Sequence, residues 1–184
     1  MAVTLVEKYN PEWPRRFEEI KEFLGEKINE ACLRIEHVGS TAIPGMVAKP
    51  IIDLILVIKP DLWEEIKSLL KERGYNYRGD QGIKDREVFR LADETILPIH
   101  HLYVCPEGSP ELKKETVFRE FMKTHKKDRE RLNALKWSLA EQFNNDKYPY
   151  MDGKDAMCKD ITRKALEYLD SRVRQAQDKR KGKE

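Results

Sequence analysis

Residues 50–58, Pro-Ile-Ile-Asp-Leu-Ile-Leu-Val-Ile, limit the fold more than any other stretch of this 184-residue chain. Apolar side chains fall on both parities, so the segment reads as a strand buried on two faces, with further layers above and below it. Asp53 breaks the run. A carboxylate inside such a strand is costly unless water, a cation or a metal reaches it. Three settings stay open: a solvated cleft, pairing with a cation such as Lys49 or Arg34, or metal ligation.

The residues upstream point to an anion. A short alternating strand ends in Gly39-Ser40-Thr41. A turn without a bulky side chain lets backbone N–H groups approach an anionic ligand. Ser40 and Thr41 add hydroxyl donors, and Lys49 supplies a point charge suited to phosphate. Donors for phosphate beside a strand carboxylate for Mg²⁺ or Mn²⁺ are the parts nucleotidyl transfer needs. The stretch is not a Walker A loop, because no Gly-Lys-Ser or Gly-Lys-Thr triplet is present. Glycine, serine and proline between two strands are also ordinary loop composition.

The rest of the chain divides into two kinds of pattern. Before residue 109, helical spacing at Phe17, Ile20, Leu24, Ile28 and Ala31 predicts an early helix with Pro14 in its first turn. "DLWEEIKSLLKERG" predicts another, with Asp61 and Glu64 at capping-box spacing and Gly74 at the C-terminus. "LRIEHV", "YNYRG", "EVFRLA" and "ILPIHHLYVC" read as strands, Pro98 suggesting an edge or a bend in the last. From Ser109 the pattern is helical only: a helix capped by Ser109 with Pro110 next, a second with Leu132, Leu135 and Leu139 on one stripe, and a last one beginning near Gly153. The expectation is one domain over 1–184, with a sheet-containing core at 1–108, C-terminal helices at 109–175 and a frayed tail at 176–184.

Composition excludes several classes. A net charge of +2 argues against a nucleic-acid partner. No apolar stretch is long enough to span a bilayer. Three scattered cysteines, Cys32, Cys105 and Cys158, fit free thiols in a reducing cytoplasm rather than a zinc site or disulfide framework. Self-association is left open.

Gly39-Ser40, twelve residues, then Asp53 in an apolar strand resembles the signature of the nucleotidyltransferase fold in the DNA polymerase β superfamily. More closely, the chain resembles the GrpB-like family. The matching stretches are "NPEWPRRFEEI", "EHVGSTAIPGMVAKPIIDLILV", "HLYVCPEGSPE", "FREFMKTH" and "KYPYMDGK", in the family's order. The resemblance implies an α+β fold: a nucleotidyltransferase-like mixed β-sheet flanked by helices, with a helical C-terminal third. It implies a nucleotide or coenzyme-like ligand, since domains of this kind also occur fused to dephospho-CoA kinase. It implies Asp53 and His101 as catalytic and metal-binding residues, and Gly39, Ser40, Thr41 and Lys49 as ligand-binding ones. Arg86 and Arg90, which flank an apolar strand, either bind phosphate oxygens bidentately as further ligand-binding residues or form surface salt bridges.

One departure matters. Active nucleotidyltransferases pair two carboxylates two residues apart on this strand, and Ile55 occupies the partner position here. Metal-dependent transfer therefore competes with an inactive ligand-binding or interaction module. Glu87 and His101 are the candidates for a third ligand from a neighbouring strand. Period two places His101 and Tyr103 on one face and His100 on the other. An imidazole ligand would favour Zn²⁺ or Ni²⁺ over Mg²⁺. His37 is either a core histidine or a cleft residue beside Ser40. Glu107 could cap a helix or reach the cleft. Arg119, Lys136, Tyr150 and Lys154 are candidates to close the site from the helical side.

Overall fold

A computed structural model describes residues 5–181. The chain runs α1 (Trp13–Leu24), α2 (Glu26–Ala31), β1 (Arg34–Val38), β2 (Ile52–Ile58), α3 (Trp63–Glu72), β3 (Tyr75–Tyr77), β4 (Glu87–Leu91), β5 (His100–Pro106), α4 (Pro110–Thr124), α5 (Lys126–Gln142) and α6 (Lys147–Lys181). The five strands form one mixed sheet in the order β1-β2-β5-β4-β3. Only β2 and β5 pair in parallel. A parallel pair needs a long crossover, and α3, β3 and β4 supply it. The arrangement is the α+β one implied by the resemblance: a mixed sheet, flanking helices and a helical C-terminal third. Among the described residues no helix is long and apolar enough to cross a membrane.

The buried strand β2 explains the layering. Ile52, Leu54, Leu56 and Ile58 pack with Trp13, Ile20 and Leu24 of α1, Ile66 and Leu70 of α3, and Phe89, Leu102 and Val104 of the neighbouring strands. That face is closed. Ile55 and Val57 point the other way, into a smaller cluster with Val38, Cys105 and Leu112 at the base of α4. Beyond that cluster the second face opens.

The 3-10 turn Ser40–Ala42 and the loop after it join the sheet to the helical third. Ile43 and Met46 pack against Phe121, Met122, Leu132, Ile161 and Ala165. Asn133 of α5 clamps the loop: its Oδ1 accepts from the Val47 N–H at 2.8 Å, and its Nδ2 donates to the Gly45 carbonyl at 2.8 Å. Arg119 of α4 docks that helix on β1, donating to Glu36 at 2.8 Å and to the His37 carbonyl at 2.7 Å.

Five local expectations change, the first being the early helix, which breaks at Gly25 (φ +81°) into α1 and α2. The helix after Pro60 starts at Trp63 behind a 3-10 turn, Pro60–Leu62, and carries no side-chain cap, so the Asp61–Glu64 box does not form. Pro98 precedes β5, which lies inside the sheet and not at its edge; the proline ring is spent on the approach, before ladder N–H groups are needed. The last helix starts at Lys147, six residues before Gly153. Pro149 falls in its first turn, where a missing N–H costs nothing. A Cβ at Gly153 would lie 2.5 Å from Leu139 Cδ2, so the glycine lets α5 and α6 approach closely. The same helix continues to Lys181 through most of the stretch expected to fray; residues 182–184 of that tail lie outside the described residues. By contrast, Ser109 caps α4 as expected, its hydroxyl accepting from the Leu112 N–H at 3.2 Å.

Candidate functional site

The open face of the sheet and the helical third enclose a cleft of about 1240 Å³. Asp53 and His101 lie at its floor. They are register partners across the parallel β2–β5 pair, so their side chains emerge side by side. His101 Nδ1 donates to Asp53 Oδ1 at 3.0 Å, which leaves Nε2 as the accepting nitrogen. Each side chain keeps about 30% of its surface exposed (30% for His101 and 29% for Asp53), so the carboxylate is neither dry nor tied off. Neither Lys49 nor Arg34 pairs with it; Arg34 pairs with Glu36 and Glu107 instead. The Tyr103 hydroxyl lies 3.4 Å from His101 Nδ1 on the same face.

Gly39 is required by its geometry. Its φ is +70°, and a Cβ there would lie 2.6 Å from Asp53 Oδ2. Any side chain would therefore strain the backbone and push the carboxylate out of place.

One wall of the cleft is cationic. Lys49 follows the loop from Ser40, Lys136 comes from α5, and Lys147 and Lys154 come from the first turns of α6. Lys136 is 2% exposed, and its ammonium donates to Ser40 Oγ and to the Val47 carbonyl, both at 2.7 Å. Both acceptors are neutral. Burial, with Lys154 nearby, pushes Lys136 down to about 7, against the pull of Cys158 and Asp53. Burial and then Lys147 and Lys154 also lower Lys49, whose Nζ sits 5.0 Å from the centre of the Tyr150 ring. Several other rim cations are neutralised: Lys114 by Glu111, Lys159 by Asp155, Arg163 by Glu167. Lys49, Lys136, Lys147 and Lys154 make no ion pair among the described residues.

The opposite wall is mixed. Glu115 of α4 faces Asp53, and burial, Asp53 and Glu111 raise it to about 7. Arg86 lies over the Tyr103 ring at 4.9 Å, is 3.9 Å from Glu111, and has a buried Nε without a hydrogen-bond partner.

The structure thus gathers Gly39, Ser40, Lys49, Asp53, His101 and Arg86 around one cleft, with Lys136, Tyr150 and Lys154 from the helical side. Thr41 also borders it, but its hydroxyl is committed, accepting from His37 Nε2 at 3.0 Å and donating to the Ile51 carbonyl at 3.3 Å. His37 is a core histidine: it stacks on Phe17 with centroids 4.8 Å apart, and burial lowers it to about 4. Arg90 does not line the cleft and donates to the Phe89 carbonyl at 3.1 Å. Glu87 is likewise outside the cleft lining and accepts from the Tyr77 hydroxyl at 2.6 Å. Glu107 and Arg119 serve ion pairs outside the cleft. Sequence spacing does not single out Glu115 or Lys147, because only the packing of α4 and α6 brings them to the strand ends.

The donor set bears on the metal expectation. Among the described residues no three His, Cys, Asp or Glu side chains gather where an ion could sit. Asp53 and His101 spend one oxygen and one nitrogen on each other, and the fully buried Ile55 faces the Val38–Cys105 cluster. These residues do not fit the two-ion clamp of phosphoryl chemistry.

The model of the GrpB protein family matches residues 3–164. The chain belongs to the GrpB family. The UPF0157 protein YqkA of Bacillus subtilis is 31% identical over 152 residues, 82% of this chain but 44% of its own length. The glutamate-rich protein GrpB of Alkalihalophilus pseudofirmus is 30% identical over 83% of this chain and 90% of its own. The crystal structure of the GrpB protein of Enterococcus faecalis superposes with a TM-score of 0.78 at 30% identity, over 89% of this chain and 98% of that one. The GrpB fold therefore accounts for nearly the whole chain, while YqkA extends well beyond it.

Proposed function

We propose that the cleft binds a phosphate-bearing ligand of the nucleotide class. The observation that carries this reading is the cationic wall: four lysines from three segments meet beside Gly39-Ser40, and the most buried of them has only neutral acceptors. A buried ammonium without a carboxylate costs stability, so folding alone does not account for it. An incoming phosphate supplies the missing counter-charge and takes hydrogen bonds from Lys136 and the Ser40 hydroxyl.

A second reading adds chemistry to binding: transfer of a nucleotidyl group to an acceptor. The Asp53–His101 pair favours it. With Nδ1 bonded to Asp53, His101 Nε2 can accept a proton from an acceptor hydroxyl in the cleft.

Thermal melting with ATP, coenzyme A and pyrophosphate tests the binding reading. A ligand at 100 times its dissociation constant stabilises by about 2.7 kcal/mol, a rise of roughly 5–10 °C for a chain of this size. No rise with any of the three at millimolar concentration, with or without Mg²⁺, removes the reading. Pyrophosphate release from ATP in the presence of candidate acceptors separates transfer from binding.

A further inference from the structure

We infer that the phosphate groups held in this cleft are neutralised by the lysine wall in place of divalent metal ions, so that ligand binding is independent of Mg²⁺ or Mn²⁺. The inference rests on the phosphate-binding reading above and sharpens it.

Two observations point the same way. The first is where positive charge already stands. Lys136 holds Ser40 Oγ at 2.7 Å at the end of the Gly39 turn, where a phosphate would meet the backbone. Lys49 is near enough to Lys147 and to Lys154 for their charges to interact, and none of the three makes an ion pair among the described residues. A divalent ion placed beside them would be repelled, whereas a polyanion is attracted to all four. Lysine suits this task as a point charge with three donors on a flexible stem.

The second is how little the acidic side offers a metal. Asp53 Oδ1 accepts from His101, and Oδ2 lies against the Gly39 backbone, close enough that a Cβ there would be 2.6 Å away. The next position on the same face is Ile55, fully buried. Glu115 also lines the cleft, but it does not come together with Asp53 and His101 as a group that could hold an ion. Among the described residues no third donor completes a set. Asp53 and His101 are then free to act together on a ligand hydroxyl.

Calorimetric titration of the full chain with ATP and with inorganic triphosphate, each in EDTA and in Mg²⁺ at equal ionic strength, tests the inference. The expected result is the same Kd within about threefold in the two buffers, weakening steeply with added salt as screened charge contacts do. Lys136→Met should weaken binding tenfold or more in EDTA. So should the paired substitution Lys147→Ala with Lys154→Ala, one exposed and one half-buried, neither side chain making a hydrogen bond or ion pair among the described residues. Binding that appears only with Mg²⁺, or tightens tenfold or more with it, overturns the inference and leaves the phosphate-binding reading standing. Absence of binding in both buffers overturns both.

Discussion

The two faces of the sheet are made by alternate residues of the same strands, yet they are built to different ends. On the face covered by α1 and α3, Leu54, Leu56, Leu102 and Val104 are buried in a closed apolar cluster. On the other face, one residue away along each strand, Asp53, His101 and Tyr103 border a cleft of about 1240 Å³. The closed face supplies the free energy that holds the strands in register. The open face uses that register to place two polar side chains 3.0 Å apart. Strand alternation keeps the two jobs separate, so a change on one face should leave the other largely untouched.

That separation can be broken experimentally, beginning with the closed face. Leu54→Ala should cost about 3 kcal/mol, since the leucine is fully buried and its neighbours are held by two helices. The melting midpoint should fall by roughly 6–12 °C. Tyr103→Phe on the open face should shift it by less than about 1 kcal/mol. Equal losses at the two positions would mean that the faces are not independent.

Gly39→Ala should come next in size. It combines an unfavourable φ of +70° with a clash against Asp53, so it should cost about 2 kcal/mol in chemical denaturation. Asp53→Gly in the same chain should recover part of the loss by removing the clash.

Lys136 gives a pH signature. Its pKa falls to about 7 in the folded chain, from an ordinary value of 10.5. Between those values the unfolded chain holds a proton that the folded chain does not, so stability from this group rises with pH. Lys136→Met should therefore melt above the wild type, with the largest gain below pH 7 and the gain fading toward pH 10.5. Glu115 has the opposite slope. Its pKa rises from 4.5 to about 7, so its burial lowers stability as pH climbs through that window. Glu115→Gln should gain over the wild type from pH 4.5 upward and reach its full advantage above 7. Melts across pH 4–11 check both. A flat difference would place these side chains in solvent.

The smallest expected effect is the coupling of Asp53 with His101. A double-mutant cycle with Asp53→Asn and His101→Phe should return about 1 kcal/mol, because the pair is partly open to water. Zero coupling would mean the two side chains do not hold each other.

Much of this was legible in the sequence where a period carries the information. Period two put His101 with Tyr103 and set His100 on the opposite face, where it now meets Tyr75 at 2.7 Å. Period 3.6 and the Ser109 cap announced the C-terminal helices, though not the ends of the last one. The apolar run around Asp53 announced a strand buried twice over. What resisted was whatever depends on packing between distant segments. Lys136 meets Ser40 across 96 residues, and only the docking of α5 on the loop after Ser40 fixes that contact. Glu115 sits on α4 at a position no different in type from its exposed neighbours Lys113 and Lys114. Residue type misled where local bonding had prior claim. Thr41 is the right kind of donor, but His37 and the Ile51 carbonyl already occupy its hydroxyl.

The most direct measurement is an NMR titration of isotope-labelled protein with ATP, following backbone amides and lysine side-chain groups together. The account predicts that Gly39, Ser40, Asp53 and the Nζ groups of Lys49, Lys136, Lys147 and Lys154 move first and farthest, while Leu54, Leu56 and Leu102 stay in place. Saturable shifts centred on the closed face or on the far end of α6, with Ser40 and Lys136 unmoved, would contradict it.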